Sequence, residues 1–188
     1  MTDDNTAILD AALQVFLRYG FKRSTMGDIA KAAGLSRQSL YARFANKDDV
    51  YAAGLVLHAR RTVASITEAW AGIASLNDRL DCLYELSLRP TFEMLRANPD
   101  AADIIDAAET PSGQRAMEDA RRQKIAMLTD LLTPFAPALH QHGQTPADVA
   151  RFTETALHAL LTTADSIEAL QQQFASLKAA LMALTRPA

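Results

Sequence analysis

Residues 20–50 read GFKRSTMGDIAKAAGLSRQSLYARFANKDDV. Within that stretch Thr25-Met26-Gly27-Asp28 has the form of a capping box. The Thr hydroxyl accepts from a backbone N–H three residues on, and the Asp carboxylate reaches back to the cap. A short helix therefore opens at residue 26 and runs to 33. Gly34 ends it, because the tight turn that follows needs positive φ at one position. Ser36 caps another helix, over 37–44. Ala30 is small enough to let the two helices cross closely, Leu35 and Leu40 cover the core they share, and Phe44 lies one turn beyond Leu40. This is a helix-turn-helix pattern. An αα-corner that binds nothing has the same outline, but the charge around this one is distinctive. Residues 18–47 hold seven Lys/Arg and one acidic residue, Asp28, whereas residues 61–188 hold 11 Lys/Arg against 16 Asp/Glu. A basic segment ahead of an acidic body points to a head that binds a polyanion.

The second of the paired helices buries Leu40 and Phe44 and exposes Arg37, Gln38, Ser39 and Ala42. Such a helix fits the major groove, where Arg pairs bidentately with guanine and Gln with adenine. Arg37, Gln38 and Ser39 are the candidate base readers, although Arg37 equally suits a phosphate. Thr25, at a helix N-terminus, can both cap it and meet a phosphate.

The same stretch resembles the DNA-binding domain of the tetracycline-repressor (TetR) family of transcriptional regulators. The features that match are Gly20-Phe21, Thr25, Ile29-Ala30, Ala33-Gly34, Leu35-Ser36, Leu40-Tyr41, Phe44 and Lys47-Asp48, in order and spacing over about 45 residues. The resemblance implies that Tyr41 and Lys47 contact backbone phosphate, Lys47 with help from the positive end of a helix dipole. Arg43, at a place where the family often has His or Tyr, completes the DNA-binding set. Beyond this quarter of the chain the resemblance carries over architecture alone, an all-helical ligand-binding and dimerisation domain.

Upstream, Ile8, Leu9, Ala12, Leu13, Phe16 and Leu17 form one face of a helix over 5–19, capped by Asn5 or Thr6 and closed by Gly20. Downstream, Asn46 with Asp49 caps a helix over 47–71, about 35 Å long, which links the head (residues 1–52) to the body (53–188). The body reads as a helix over 77–97 kinked at Pro90, an acidic helix over 100–109, a helix over 112–132, a proline-containing loop over 134–146, and helices to 163 and over 166–184. Apolar stripes on the last two suit a four-helix dimer interface through residues 147–184, or else complete the monomer core. The expected fold is all-α, about nine helices in total: an N-terminal three-helix helix-turn-helix domain, a long fourth helix and a C-terminal helical bundle.

The composition bounds the function. One cysteine, Cys82, permits no internal disulfide and suits a reducing compartment. The acidic N-terminus leads into no apolar run, and no stretch is long enough to span a membrane, so the protein is expected to be cytoplasmic. His140-x-His142, and Glu154 four residues before His158, lack the spacing of metal sites, and no catalytic or phosphate-binding motif occurs. No metal, cofactor or enzyme activity is expected. Candidate pocket residues are Trp70, Tyr84, Phe92, Met94, Met117, Met127 and Phe135, chosen because they are large or flexible and lie in the body. The expected function is that of a ligand-responsive repressor. It would bind a palindromic operator on double-stranded DNA as a homodimer and be released by a small lipophilic effector. The alternatives are a helical small-molecule-binding protein without DNA binding and, more remotely, a helical enzyme using His158 or Glu154.

Overall fold

Small capping residues set the turns of the first unit. The computed structural model describes residues 3–97 and 110–186, and the chain divides into two compact units, residues 1–60 with 95–120 and residues 61–94 with 121–188. In the first unit, α1 (Asp3–Tyr19) begins a little earlier than its expected cap and closes at Gly20. Thr25 caps α2 (Met26–Ala32), with both arms of the capping box formed. At its end the Gly34 N–H reaches the Lys31 carbonyl and the Leu35 N–H the Ala30 carbonyl, at 3.2 and 2.8 Å. This paired arrangement needs a left-handed residue, which Gly34 supplies at φ +68°. Ser36 caps α3 (Arg37–Tyr41), which is shorter than expected, since the chain leaves the helix once the Phe44 N–H has bonded the Leu40 carbonyl. Ile29, Leu40 and Val50 are wholly buried among α1, α2, α3 and the first turns of α4 (Lys47–Trp70). Beside them Phe16, Phe21 and Tyr51 form an aromatic cluster with ring centres 5.3–6.1 Å apart.

The second unit is a bundle of longer helices packed on an apolar core that includes Ile66, Leu80, Leu128, Leu139 and Leu170. Here the structure departs from expectation twice. The helix expected over 77–97 is α5 (Leu76–Leu83), a π-helical segment (Tyr84–Leu88) and α6 (Arg89–Ala97). Pro90 has no N–H to give the carbonyl four residues back, and the chain absorbs the mismatch as an i→i+5 turn upstream, where the Arg89 N–H bonds the Tyr84 carbonyl. After α7 (Pro111–Leu132), the expected loop over 134–146 is largely helical, a 3-10 turn (Thr133–Phe135) and α8 (Ala136–Gln141). Pro134 and Pro137 fall in first turns, where a missing N–H removes no intrahelical bond. Gly143, at φ +69°, then closes α8. A second complete capping box, Thr145 with Asp148, opens α9 (Pro146–Thr163), and Ser166 caps α10 (Ile167–Leu184). The acidic helix expected over 100–109 lies outside the described residues. Among the described residues α4 has side chains in both cores, Val50 and Leu57 in the first and Ile66 and Trp70 in the second.

Candidate functional site

The head presents α3 on a scaffold whose turns are tied by side-chain hydrogen bonds. Ser36 Oγ accepts from the Ser39 N–H at 3.0 Å and lies 2.8 Å from Ser39 Oγ, so the Ser39 hydroxyl already has a partner. Arg37, Gln38, Ser39, Tyr41 and Arg43 are all exposed, Tyr41 at 53% despite its large ring. Leu40, at 0%, anchors the other face of the helix. The Arg37 guanidinium lies back over α2: a Cβ at Gly27 would stand 2.5 Å from its Nη2. Glycine at 27 is what lets the arginine rest there.

Thr25 is exposed and occupied in its cap. Its hydroxyl donates to Asp28 Oδ2 at 2.6 Å, and the Asp28 N–H donates back to it at 3.2 Å. These bonds from Thr25, with Arg37 and Lys31 nearby, hold the Asp28 carboxyl below the usual aspartate value.

Lys47 is engaged within the protein. Its ammonium donates to the carbonyls of Phe21, Lys22 and Ser24 at 2.8, 3.1 and 3.1 Å, and sits 4.5 Å from the centre of the Phe21 ring. All three protons are used within the protein, so in this arrangement the ammonium has none left for a phosphate. It staples the α1–α2 turn to the first turn of α4. Sequence reading missed this because the partners are backbone carbonyls 23 to 26 residues away, which leave no mark in residue type.

In the second unit, α4, the α5–π–α6 run, α7 and α9 enclose a cavity of about 40 Å³. Of the seven candidate pocket residues only Met127 lines it. Trp70 is buried with its Nε1–H donated to the Arg79 carbonyl, Tyr84 stacks on Phe174 with ring centres 5.0 Å apart, and Phe92 is buried. Phe135 packs against the core from its edge, Met94 is half-buried, and Met117 belongs to the first unit. The aromatic candidates are core, as large side chains at helical spacing usually are. The cavity's distinguishing residues are polar ones on otherwise apolar faces: Thr62, Ser87, Thr91, Lys124, Glu154 and His158. Glu154, 7% exposed, accepts from Arg121 Nε at 2.6 Å, and Arg121 also donates to Thr155 Oγ1. Cys82 is half-buried, and burial pushes its thiol up, away from the reactive thiolate.

Three comparisons with known proteins bear on this arrangement. Residues 8–53 match the family model for bacterial regulatory proteins of the tetR family. Over 44 residues the chain is 43% identical to the HTH-type transcriptional regulator AcrR of Shigella flexneri, an alignment covering 23% of this chain and 20% of that one. Over 156 residues it is 26% identical to the HTH-type transcriptional repressor Rv1474c of Mycobacterium tuberculosis, covering 82% and 78% respectively. The fold is similar to that of reduced NemR from E. coli, with a TM-score of 0.69, 21% identity and coverage of 94% and 96%.

Proposed function

We propose that the chain is a transcriptional regulator of the tetR family, whose model its head matches over residues 8–53, and that it is a repressor that binds a palindromic operator as a homodimer and leaves it when a small effector enters the body. The observation that carries this reading is the outer face of α3. Arg37, Gln38 and Ser39 stand exposed on a helix held from beneath by wholly buried Leu40. Gln38 reads a base, Arg37 swings off Gly27 to reach a base or a phosphate, and Ser39 contributes its hydroxyl. Thr25, Tyr41 and Arg43 position the head on the phosphates. Lys47 contributes as the staple that fixes the α1–α2 turn.

A two-fold operator needs a two-fold protein. Phe152 on α9 is 65% exposed, an unusual cost for a large apolar side chain on a monomer. Ala156, Ala159, Leu160 and Thr163 continue its stripe at helical spacing. With Leu177 and Leu184 of α10, which are only partly buried, they supply a face for the same pair of helices in a second subunit.

Half-sites one helical turn apart hold the two recognition helices about 34–36 Å apart. An effector that favours a different setting of α4 lowers operator affinity by as much as the operator lowers its own. Among the described residues no helix is long and apolar enough to cross a membrane, and the reading places the protein in the cytoplasm with its operator. The test is selection from random duplex DNA by the purified protein at about 150 mM salt. Recovery of one palindromic motif is expected. Weak, salt-labile binding without an enriched motif overturns the reading and favours a body that binds small molecules beneath a head that does not bind DNA.

A further inference from the structure

The charges around the body cavity do not cancel. Glu154 is its one carboxylate among the lining residues, and the Arg121 guanidinium already engages that carboxylate at 2.6 Å. Lys124 also lines the cavity and has no hydrogen-bond partner among the described residues. Arg121, Glu154 and Lys124 together leave one positive charge, located on a side chain with three donors and nothing to receive them. Burial works against the Lys124 ammonium and pushes it below the ordinary lysine value, while Glu154 draws it back up. An ammonium left this way is costly, and an anion beside it would relieve the cost. Apart from Thr62, Ser87, Thr91 and His158 the rest of the lining is apolar, with Val63, Ile66, Leu83, Met127, Leu128 and Leu157 among its members.

We propose that the cavity receives a small amphipathic monoanion whose carboxylate is bound by Lys124 and whose hydrocarbon part lies against the leucine-rich wall. The proposal rests on the reading of the body as an effector domain and gives that effector its chemistry. One uncompensated charge selects one carboxylate, and the Ser87, Thr91 and Thr62 hydroxyls offer further donors to the same group. Glu154 favours a cation less than its charge suggests, because Arg121 already engages it, and an incoming amine could pair with it only at the expense of that contact. The cavity of about 40 Å³ holds a head group or a few waters, so the hydrocarbon enters as the walls part. The π-helical segment is the wall suited to this: its Ser87 and Leu88 border the cavity, with Leu83 and Thr91 on either side of it, and it is where the α-helical bonding is already interrupted.

The experiment is calorimetric titration of the intact protein with octanoate, 1-octanol and octylamine, three probes that share a chain and differ in head group. Octanoate is expected to bind about tenfold or more tightly than octanol, as one charge-assisted hydrogen bond implies. Lys124→Met is expected to abolish that preference while leaving octanol binding in place. Equal binding of acid and alcohol by the unaltered protein, tighter binding of the amine, or no binding of octanoate each overturns the proposal, whether or not the variant folds. Operator release is scored separately. Octanoate binding at Lys124 without release keeps the site and overturns the effector reading. Release by octylamine alone keeps the effector reading and overturns the site.

Discussion

In the head, Thr25 caps a helix through Asp28 three residues away, and Ser36 does the same through Ser39. In the body, Arg121 meets Glu154 across 33 residues and Lys178 meets Asp81 across 97. Both halves hold many hydrogen bonds within one turn of the chain, but their long-range ties differ: in the head the Lys47 ammonium meets backbone carbonyls, whereas in the body charged side chains pair between distant helices whose placement depends on packing. The difference teaches where each half is vulnerable. A head built from local caps should tolerate the loss of any one of them and fail when its small core or the long-range tie at Lys47 is removed. A body built from apolar packing carries its specificity in a few polar side chains that no local pattern announces.

Hollowing the head's core should have the largest effect. Leu40→Ala, at a wholly buried site, is expected to cost about 2–5 kcal/mol, read as an earlier unfolding transition in denaturant with operator binding lost in step. A cost as small as that of a surface substitution would mean that the caps alone hold α3. Next is Lys47→Met, which removes three charged donors from backbone carbonyls and should lower stability by about 2–3 kcal/mol. Because the ammonium is spent inside the protein, the salt slope of DNA binding should stay unchanged. A slope flatter by about one would return Lys47 to the phosphates.

Gln38→Ala leaves the scaffold alone. It should relax sequence preference at one or two base pairs by about 1–3 kcal/mol with no change in thermal midpoint, as selection from random DNA would report. The smallest effects come from the two capping boxes, which allow the halves to be compared by the same chemistry. Thr25→Ala and Thr145→Ala should each cost about 1 kcal/mol, the first weakening DNA binding and the second leaving it unchanged.

The same boxes respond to pH. Hydrogen bonds from Thr25 hold the Asp28 carboxyl below the ordinary value, and those from Thr145 do the same for Asp148. A lowered folded-state value means that the stabilisation is complete above the unfolded value of 3.8 and is lost as pH falls through the lower folded ones. Acid titration of stability in the two threonine variants should lose this component. An unaltered acid limb in both would remove the caps from the pH response.

The division between local and distant contacts also accounts for what was legible in the sequence. Thr25, Gly34, Ser36 and Thr145 could be assigned because a cap or a left-handed turn is a relation among neighbours. Ala30 and Leu40 followed from helical spacing. The cavity was not legible: Lys124, Glu154 and Thr62 lie on three different helices, and only packing brings them together. Pro90 announced a disturbed helix, but the sequence did not say that a π-helical turn just upstream would absorb it. Pro134 and Pro137 were read as loop residues because a proline count does not distinguish a first turn from an interruption. Lys47 shows the limit within the head itself, a basic residue in a basic segment whose partners are carbonyls that every residue possesses.

The Lys47 staple also bears on the entropy of association. A turn that orders only on meeting DNA charges its lost freedom against affinity and slows docking. Residues 20–25 are held to α4 by contacts within the protein, so on the proposed reading association immobilises exposed side chains such as Arg37, Gln38 and Tyr41 and need not order the turn. On that reading the head meets the double helix as a finished shape, and its on-rate should follow diffusion and charge steering instead of folding.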